Sequence, residues 1–224
     1  MTRMVTVPID FEGHRFFFTA PPVVAGKAEA DGVENVICRT LAHHLRPGAT
    51  AIDVGANYGY VSMVLGSVVG SSGRVLSFEG DERIYQVLEA TATRNHPNGS
   101  VQCVRALVGD GSDTVFGSTV GFDDFADGGA SGVVDFGTVA AVKIDTDGDD
   151  FAVLRGMSQL IESNQPLVVV ELAANEAEIV AWLELRYAHV VDMQGDPAAG
   201  PPWSPNVFAW NQPIEVQRRD RGRG

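Results

Sequence analysis

The chain has 224 residues, 45% of them hydrophobic and 20% charged, which suits one soluble globular domain with one core. Its formal net charge is −13, and the last eight residues carry four Arg and one Asp, so −16 falls on the body through Val216. A body of that sign repels phosphates, which argues against a nucleic-acid partner, and no apolar run reaches the ~18 residues needed to span a bilayer.

The start, Met1-Thr-Arg-Met-Val-Thr-Val-Pro-Ile-Asp10, has no apolar signal region, so a cytoplasmic protein is expected. Met4 to Thr19 reads as a hairpin: Val5, Val7 and Ile9 alternate, Glu12-Gly13 turns, and Arg15 to Thr19 returns. Such a hairpin packs, covers a site or supports a homodimer contact. Pro21-Pro22 closes it, and residues 1–27 form a hairpin and linker ahead of a main domain over 28–213. A helix is expected from about Glu29 to Leu45, with Val33, Val36, Ile37, Leu41 and Leu45 on one face. His43 and His44 at its end suit a helix C-terminus as imidazolium. Cys38 and Cys103 sit in apolar patterns and read as buried free thiols.

Alternation follows. Strand Thr50–Val54, helix Tyr60–Val69, strand Arg74–Phe78, helix Asp81–Asn95 and strand Val101–Val108 come first. Asp113 to Val120 reads as a short extra strand, and the Gly- and Asp-rich Asp123–Gly137 as a long binding loop. Strand Val139–Ile144, helix Asp149–Ser163, strand Leu167–Leu172, helix Asn175–Leu185 and strands near His189–Met193 and Val207–Trp210 complete the domain. The Pro-rich loop between the last two carries Trp203, and residues 214–224 form an Arg/Gly tail. Alternating strands and helices demand an α/β fold, a mostly parallel sheet with helices on both faces.

The most informative segment is Asp53-Val-Gly55-Ala-Asn57-Tyr58-Gly59, followed by a second strand ending in Glu79. Glycines let backbone approach a ligand, and an acid closing the second strand accepts from ribose hydroxyls. The spacing is not the Gly-x-Gly-x-x-Gly of dinucleotide sites, which points to a nucleoside without a pyrophosphate. Asp53, Glu79, Asp145 and Glu171 all fall at strand ends, the edge where such sheets bind ligands. Four acids there repel one another unless they meet a cation or hydrogen-bond donors. Lys143 and Asp145 share parity and one face of their strand.

With Phe78-Glu-Gly-Asp81, Val142-Lys-Ile-Asp-Thr-Asp-Gly148 and Leu154-Arg-Gly156, the segment resembles the FkbM family of S-adenosylmethionine (SAM)-dependent methyltransferases over about Glu34 to Leu172. Lys143 to Gly148 is the most specific element; the family usually has Pro where Gly80 stands. The resemblance implies a seven-strand Rossmann-like class I methyltransferase sheet with its last strand antiparallel, and O-methylation of a small hydroxylated substrate, a sugar or secondary metabolite. It implies Gly55, Asn57 and Gly59 against the methionyl part of SAM, Tyr58 flanking the turn and lining the pocket, Asp53 and Glu34 toward the ammonium, Glu79 on the ribose, and Arg105 and Ala106 at the adenine. The attacking hydroxyl must lose a proton, so a base or a metal is expected. Asp145, Asp147 and Glu171 are the candidates for either, with Asn175 a further oxygen donor; such ligands suit Mg²⁺. Lys143 is a base or a neutralising charge. Alternatives are an inactive methyltransferase-fold binding subunit, methylation of a carboxylate or amine, and a nicotinamide-dependent oxidoreductase.

Overall fold

In the computed structural model, residues 3–110, 120–121 and 137–217 are described. Strands β1 (Val5–Phe11) and β2 (His14–Ala20) pair antiparallel. Their two-residue loop, Glu12-Gly13, has positive φ at both positions (51° and 89°), the twist a tight hairpin requires. Asn95 holds the free edge of β2: its Oδ1 accepts from Phe17 N–H at 2.8 Å and its Nδ2 donates to Phe17 O at 2.7 Å. Arg94 lies over the Phe17 ring.

The expected helix over Glu29–Leu45 is two helices, α1 (Pro22–Asp31) and α2 (Asn35–His44). Pro22 does not end the hairpin passively; it occupies the first turn of α1, where its missing N–H is no loss. The break falls at Gly32 (φ 75°) and Glu34 (φ 49°), neither of which is helical. His44 is not an imidazolium cap: burial lowers its pKa, and its ring meets Trp210 edge-on at 4.2 Å.

Next come β3 (Thr50–Val54), α3 (Tyr60–Val69), β4 (Arg74–Glu79), α4 (Glu82–Asn95), β5 (Val101–Arg105), β6 (Val108–Gly109), β7 (Val120–Gly121) and β8 (Val139–Ile144). Helices α5 (Asp150–Gly156) and α6 (Ser158–Asn164), strand β9 (Leu167–Glu171), helix α7 (Glu176–Glu184) and strands β10 (His189–Asp192) and β11 (Asn206–Trp210) follow. The strand expected over Val101–Val108 stops at Arg105, and Val108–Gly109 instead pairs parallel with Val120–Gly121. Most of the expected strand over Asp113–Val120 and most of the Asp123–Gly137 loop lie outside the described residues. The helix expected over Asp149–Ser163 is interrupted at Met157, which leaves helical geometry (φ −103°, ψ 12°).

Seven strands form one sheet in the order β10-β11-β9-β8-β3-β4-β5. The β3–β4, β4–β5, β3–β8 and β8–β9 pairs are parallel, and β11 is antiparallel to both neighbours. The central strands are apolar throughout: Val168, Val169 and Val170 are fully buried, as covering on both faces demands. One core joins the hairpin, α1, α2 and α3 to the sheet; the other lies under α5, α6 and α7. Phe16 and Phe18 meet Tyr60 edge-on at 5.6 and 5.3 Å, so the hairpin is seated on the first turn of α3. Beyond β11, Ile214 and Val216 pack on the first core and Gln217 N–H donates to Thr40 Oγ1 at 3.1 Å. Trp203 packs against the second core.

Asn95→Ala removes both bonds to the β2 edge while leaving the apolar contacts of the hairpin. The expected loss is about 1–2 kcal/mol, read as a lower urea midpoint with an unchanged slope.

Candidate functional site

At the carboxyl ends of the parallel strands lies a cavity of about 720 Å³. The turn after β3, the end of β4, the segment after β5 and the segment after β8 all contribute to its lining, and Phe18, Val24, Val33 and Glu34 close it from the N-terminal side. The expected site residues Glu34, Gly55, Asn57, Tyr58, Glu79, Ala106, Lys143, Asp145 and Asp147 are brought together there.

Hydrogen bonds fix the turn after β3 on both flanks. Gly55 and Ala56 N–H groups donate to Phe78 O at 3.0 and 2.9 Å, and Asp145 N–H donates to Val54 O at 3.1 Å. Asn57 takes φ 51°, and its side-chain Oδ1 accepts from Tyr58 N–H at 2.9 Å, the local bonding that lets Asn hold a left-handed conformation. Its backbone N–H donates to Glu79 Oε2 at 2.9 Å, while Glu79 Oε1 accepts from Asp81 N–H at 2.8 Å. The Glu79 carboxylate is thus oriented from both sides and keeps a lone pair on each oxygen for a ligand. Asp81 caps α4 by accepting from Arg83 and Ile84 N–H groups. Gly80 has a packing reason: a Cβ there would stand 2.2 Å from Leu107 Cδ2, so a side chain would displace a residue of the cavity wall.

Beneath the opposite end sits a buried charge cluster. Lys143 Nζ lies 3.0 Å from Asp145 Oδ2, 3.7 Å from Glu34 Oε2 and 3.8 Å from Asp53 Oδ1. Asp53 is wholly buried, and its other oxygen accepts from Ser62 Oγ at 2.6 Å. Burial pushes the Glu34 and Asp53 carboxyls up, against the pull of Lys143. Burial pushes the Glu171 carboxyl up to about 7, and the charge of Asp145 and a hydrogen bond with it add to the rise. Asp150 is buried behind them; its Oδ1 accepts from Thr146 N–H at 2.8 Å, and burial raises its pKa.

Five expected site residues do not line the cavity, and one of them, Asn175, stands at the N-terminal cap of α7. Asp53 faces Lys143 from below, Glu171 meets Asp145 from β9, and Gly59 caps α3. Arg105 pairs with Glu82 at 3.5 Å. The sequence pattern does not single out Val24 and Ile84; Asp149 on the wall and Asp150 behind it do carry a signal, as the last two of four acids in the six residues from Asp145. Phe18 both packs on Tyr60 and lines the cavity. A metal has little to hold it. Among the described residues no three His, Cys, Asp or Glu side chains are arranged to share an ion, and Asp145 is already engaged by Lys143 and Glu171. The donor set does not fit Mg²⁺. The glycine turn, Glu79 and the Ala106–Val108 segment line one cavity.

This sheet order and site position define a class I methyltransferase fold. Residues 25–128 match the family model of the protein-L-isoaspartate(D-aspartate) O-methyltransferases, and residues 109–190 match that of the methyltransferase FkbM domain. The resemblance to FkbM methyltransferases therefore holds, and the match carries it over 109–190, the part containing Lys143 to Gly148, rather than from Glu34 onward. Among solved structures, the chain is similar to a methyltransferase FkbM from Methylobacillus flagellatus (14% identity, TM-score 0.56, 84% of this chain and 65% of that one). It is also similar to a SAM-dependent O-methyltransferase from Thermotoga maritima (16% identity, TM-score 0.54, 96% and 79%). A third is an O-methyltransferase from Bacillus cereus in complex with S-adenosylhomocysteine (SAH) (15% identity, TM-score 0.53, 84% and 86%). The chain spans 65% of the length of the FkbM structure. Comparison with curated proteins gives no match.

Glu171 makes stability depend on pH. Its folded pKa of about 7 stands above the ordinary 4.5, so its contribution is full below the lower value and is lost as pH rises through the higher. The melting temperature is expected to fall between pH 5 and pH 8, and Glu171→Gln, which cannot ionise, to shrink that fall. Differential scanning calorimetry across the range checks it.

Proposed function

We propose that this chain is a SAM-dependent O-methyltransferase acting on a hydroxyl of a sugar or secondary metabolite. The observation that carries the reading is the single cavity in which the Gly55–Tyr58 turn and Glu79 face the same space as Asp145, Thr146 and Asp147. The turn and Glu79 form the donor half. Glu79 accepts from the two ribose hydroxyls, charge-assisted contacts for which its carboxylate is already oriented. Ala106 and Leu107 flank the adenine, and Glu34 and Asp53 favour the ammonium of the methionyl group.

SAM supplies an activated methyl group on a sulfonium leaving group. The protein must align the acceptor and take one proton, and alignment supplies much of the rate. Asp145 is placed to take that proton: it lines the cavity, while Glu171, with a pKa near neutrality, shares the charge from behind. Asp147, held at φ 56° on the cavity wall, is placed to orient the acceptor. The acceptor half is acidic, with Asp145, Asp147 and Asp149 on its wall, which favours a neutral or cationic acceptor over an anionic one. A cytoplasmic location and a homodimer through the hairpin belong to the same reading.

Isothermal calorimetry with SAM or SAH tests the donor half. Wild-type protein is expected to bind both. Glu79→Ala, checked for an unchanged melting profile, is expected to bind at least about tenfold more weakly, since each charge-assisted contact contributes about 1.5–3 kcal/mol. Absence of binding to the folded wild type would sink the reading.

A further inference from the structure

Lys143 is only 3% exposed, yet three carboxylates converge on it from three parts of the chain. Asp53 comes from β3, Glu34 from the cap of α2, and Asp145 follows β8 itself. Burying an ammonium is costly unless the pairing around it is good. Apolar packing alone would be served better by Leu or Met. Around the cluster, Cys38 faces Glu34 and Asp53 from α2, and Glu171 and Asp150 face Asp145 from β9 and α5.

The pairing is incomplete. Glu34 Oε2 and Asp53 Oδ1, the oxygens nearest Lys143 in their side chains, have no hydrogen-bond donor. They are held by charge alone, at 3.7 and 3.8 Å. One ammonium among three carboxylates leaves an excess of two negative charges, and Glu34 and Asp145 carry theirs to the cavity wall. Glu34 sits in the left-handed break between α1 and α2, where its carbonyl accepts from Cys38 N–H but its side chain makes no cap hydrogen bond, so Lys143 is the anchor of its carboxylate.

Resting on the cofactor reading above, we infer that Lys143 is a positioning residue: its charge fastens Glu34 to the sheet against the cavity, and the charge it leaves over attracts the cofactor ammonium. It is not the proton acceptor. Burial alone would lower its pKa, but Asp53, Glu34 and Asp145 outweigh burial and raise it, so the amine stays protonated. Removing the charge frees Glu34 from the sheet and leaves Asp53 buried without a partner ion.

A double-mutant cycle read by calorimetry with SAM and SAH tests this. Lys143→Met and Glu34→Gln are each expected to weaken SAM binding about tenfold or more, as loss of a charged contact does. The double variant is expected to bind no worse than the weaker single, because both changes break one pair. Lys143→Arg is expected to restore most of the affinity, which loss of packing volume does not predict. Lys143→Met binding like wild type, or losses that simply add in the double variant, would overturn the role while leaving the cofactor reading intact. If Lys143→Met does not fold, Glu34→Gln and Lys143→Arg decide: wild-type affinity in Glu34→Gln overturns the role. Wild-type protein that binds neither SAM nor SAH overturns the cofactor reading, and this role with it.

Discussion

A side chain on residue 55 has nowhere to go: a Cβ there would stand 1.7 Å from the carbonyl oxygen of Asp145. That contact is where two turns of neighbouring strands cross, one after β3 and one after β8. Gly55, at φ 74°, meets the crossing without a side chain and in a conformation that other residues rarely adopt. The consequences spread outward. With Gly55 and Ala56 bonded to β4, Asn57 is delivered to Glu79, and Asp145 is held at the lip of the same cavity. Donor and acceptor halves are therefore placed by one backbone contact, which fixes the geometry that methyl transfer depends on.

Electrostatics adds a second layer. A sheet edge carrying Asp53, Asp145 and Glu171 stores repulsion, and the fold divides it in two. Lys143 takes Asp53 and one side of Asp145; the other side shares its charge with Glu171. Glu34 joins from outside the sheet, so the cluster also docks the helical break above the cavity. The hairpin completes that roof through Phe18, which is braced on Tyr60, and through the grip of Asn95 on Phe17. The N-terminal segment is thus part of the cavity wall as well as a cover for apolar surface.

Much of this was legible because it is local. Period-two and period-3.6 patterns place strands and helices wherever one face is buried, and Thr50–Val54, Tyr60–Val69 and Val139–Ile144 fall where they were expected. The two failures with helices have one cause. The pattern of Glu29–Leu45 and that of Asp149–Ser163 stay amphipathic across a break, so periodicity does not register the turns at Gly32–Glu34 and Met157. Arg105 shows another limit: chain position puts it near the adenine wall, but an ion pair with Glu82 gives its side chain a different direction.

The sequence by itself determined the order of strands and helices, the acid that closes β4 and the Lys143–Gly148 run that carries the family resemblance. These are properties of short segments, set by backbone conformation and side-chain parity. Only the tertiary structure decided that Glu34 reaches Lys143, that Glu171 shares charge with Asp145, and that Phe18 and Val24 wall the cavity. Those pairings join residues on different elements, well apart in the sequence. They exist because the sheet sets β8 between β3 and β9, and because burial makes an unpaired charge too costly to leave alone.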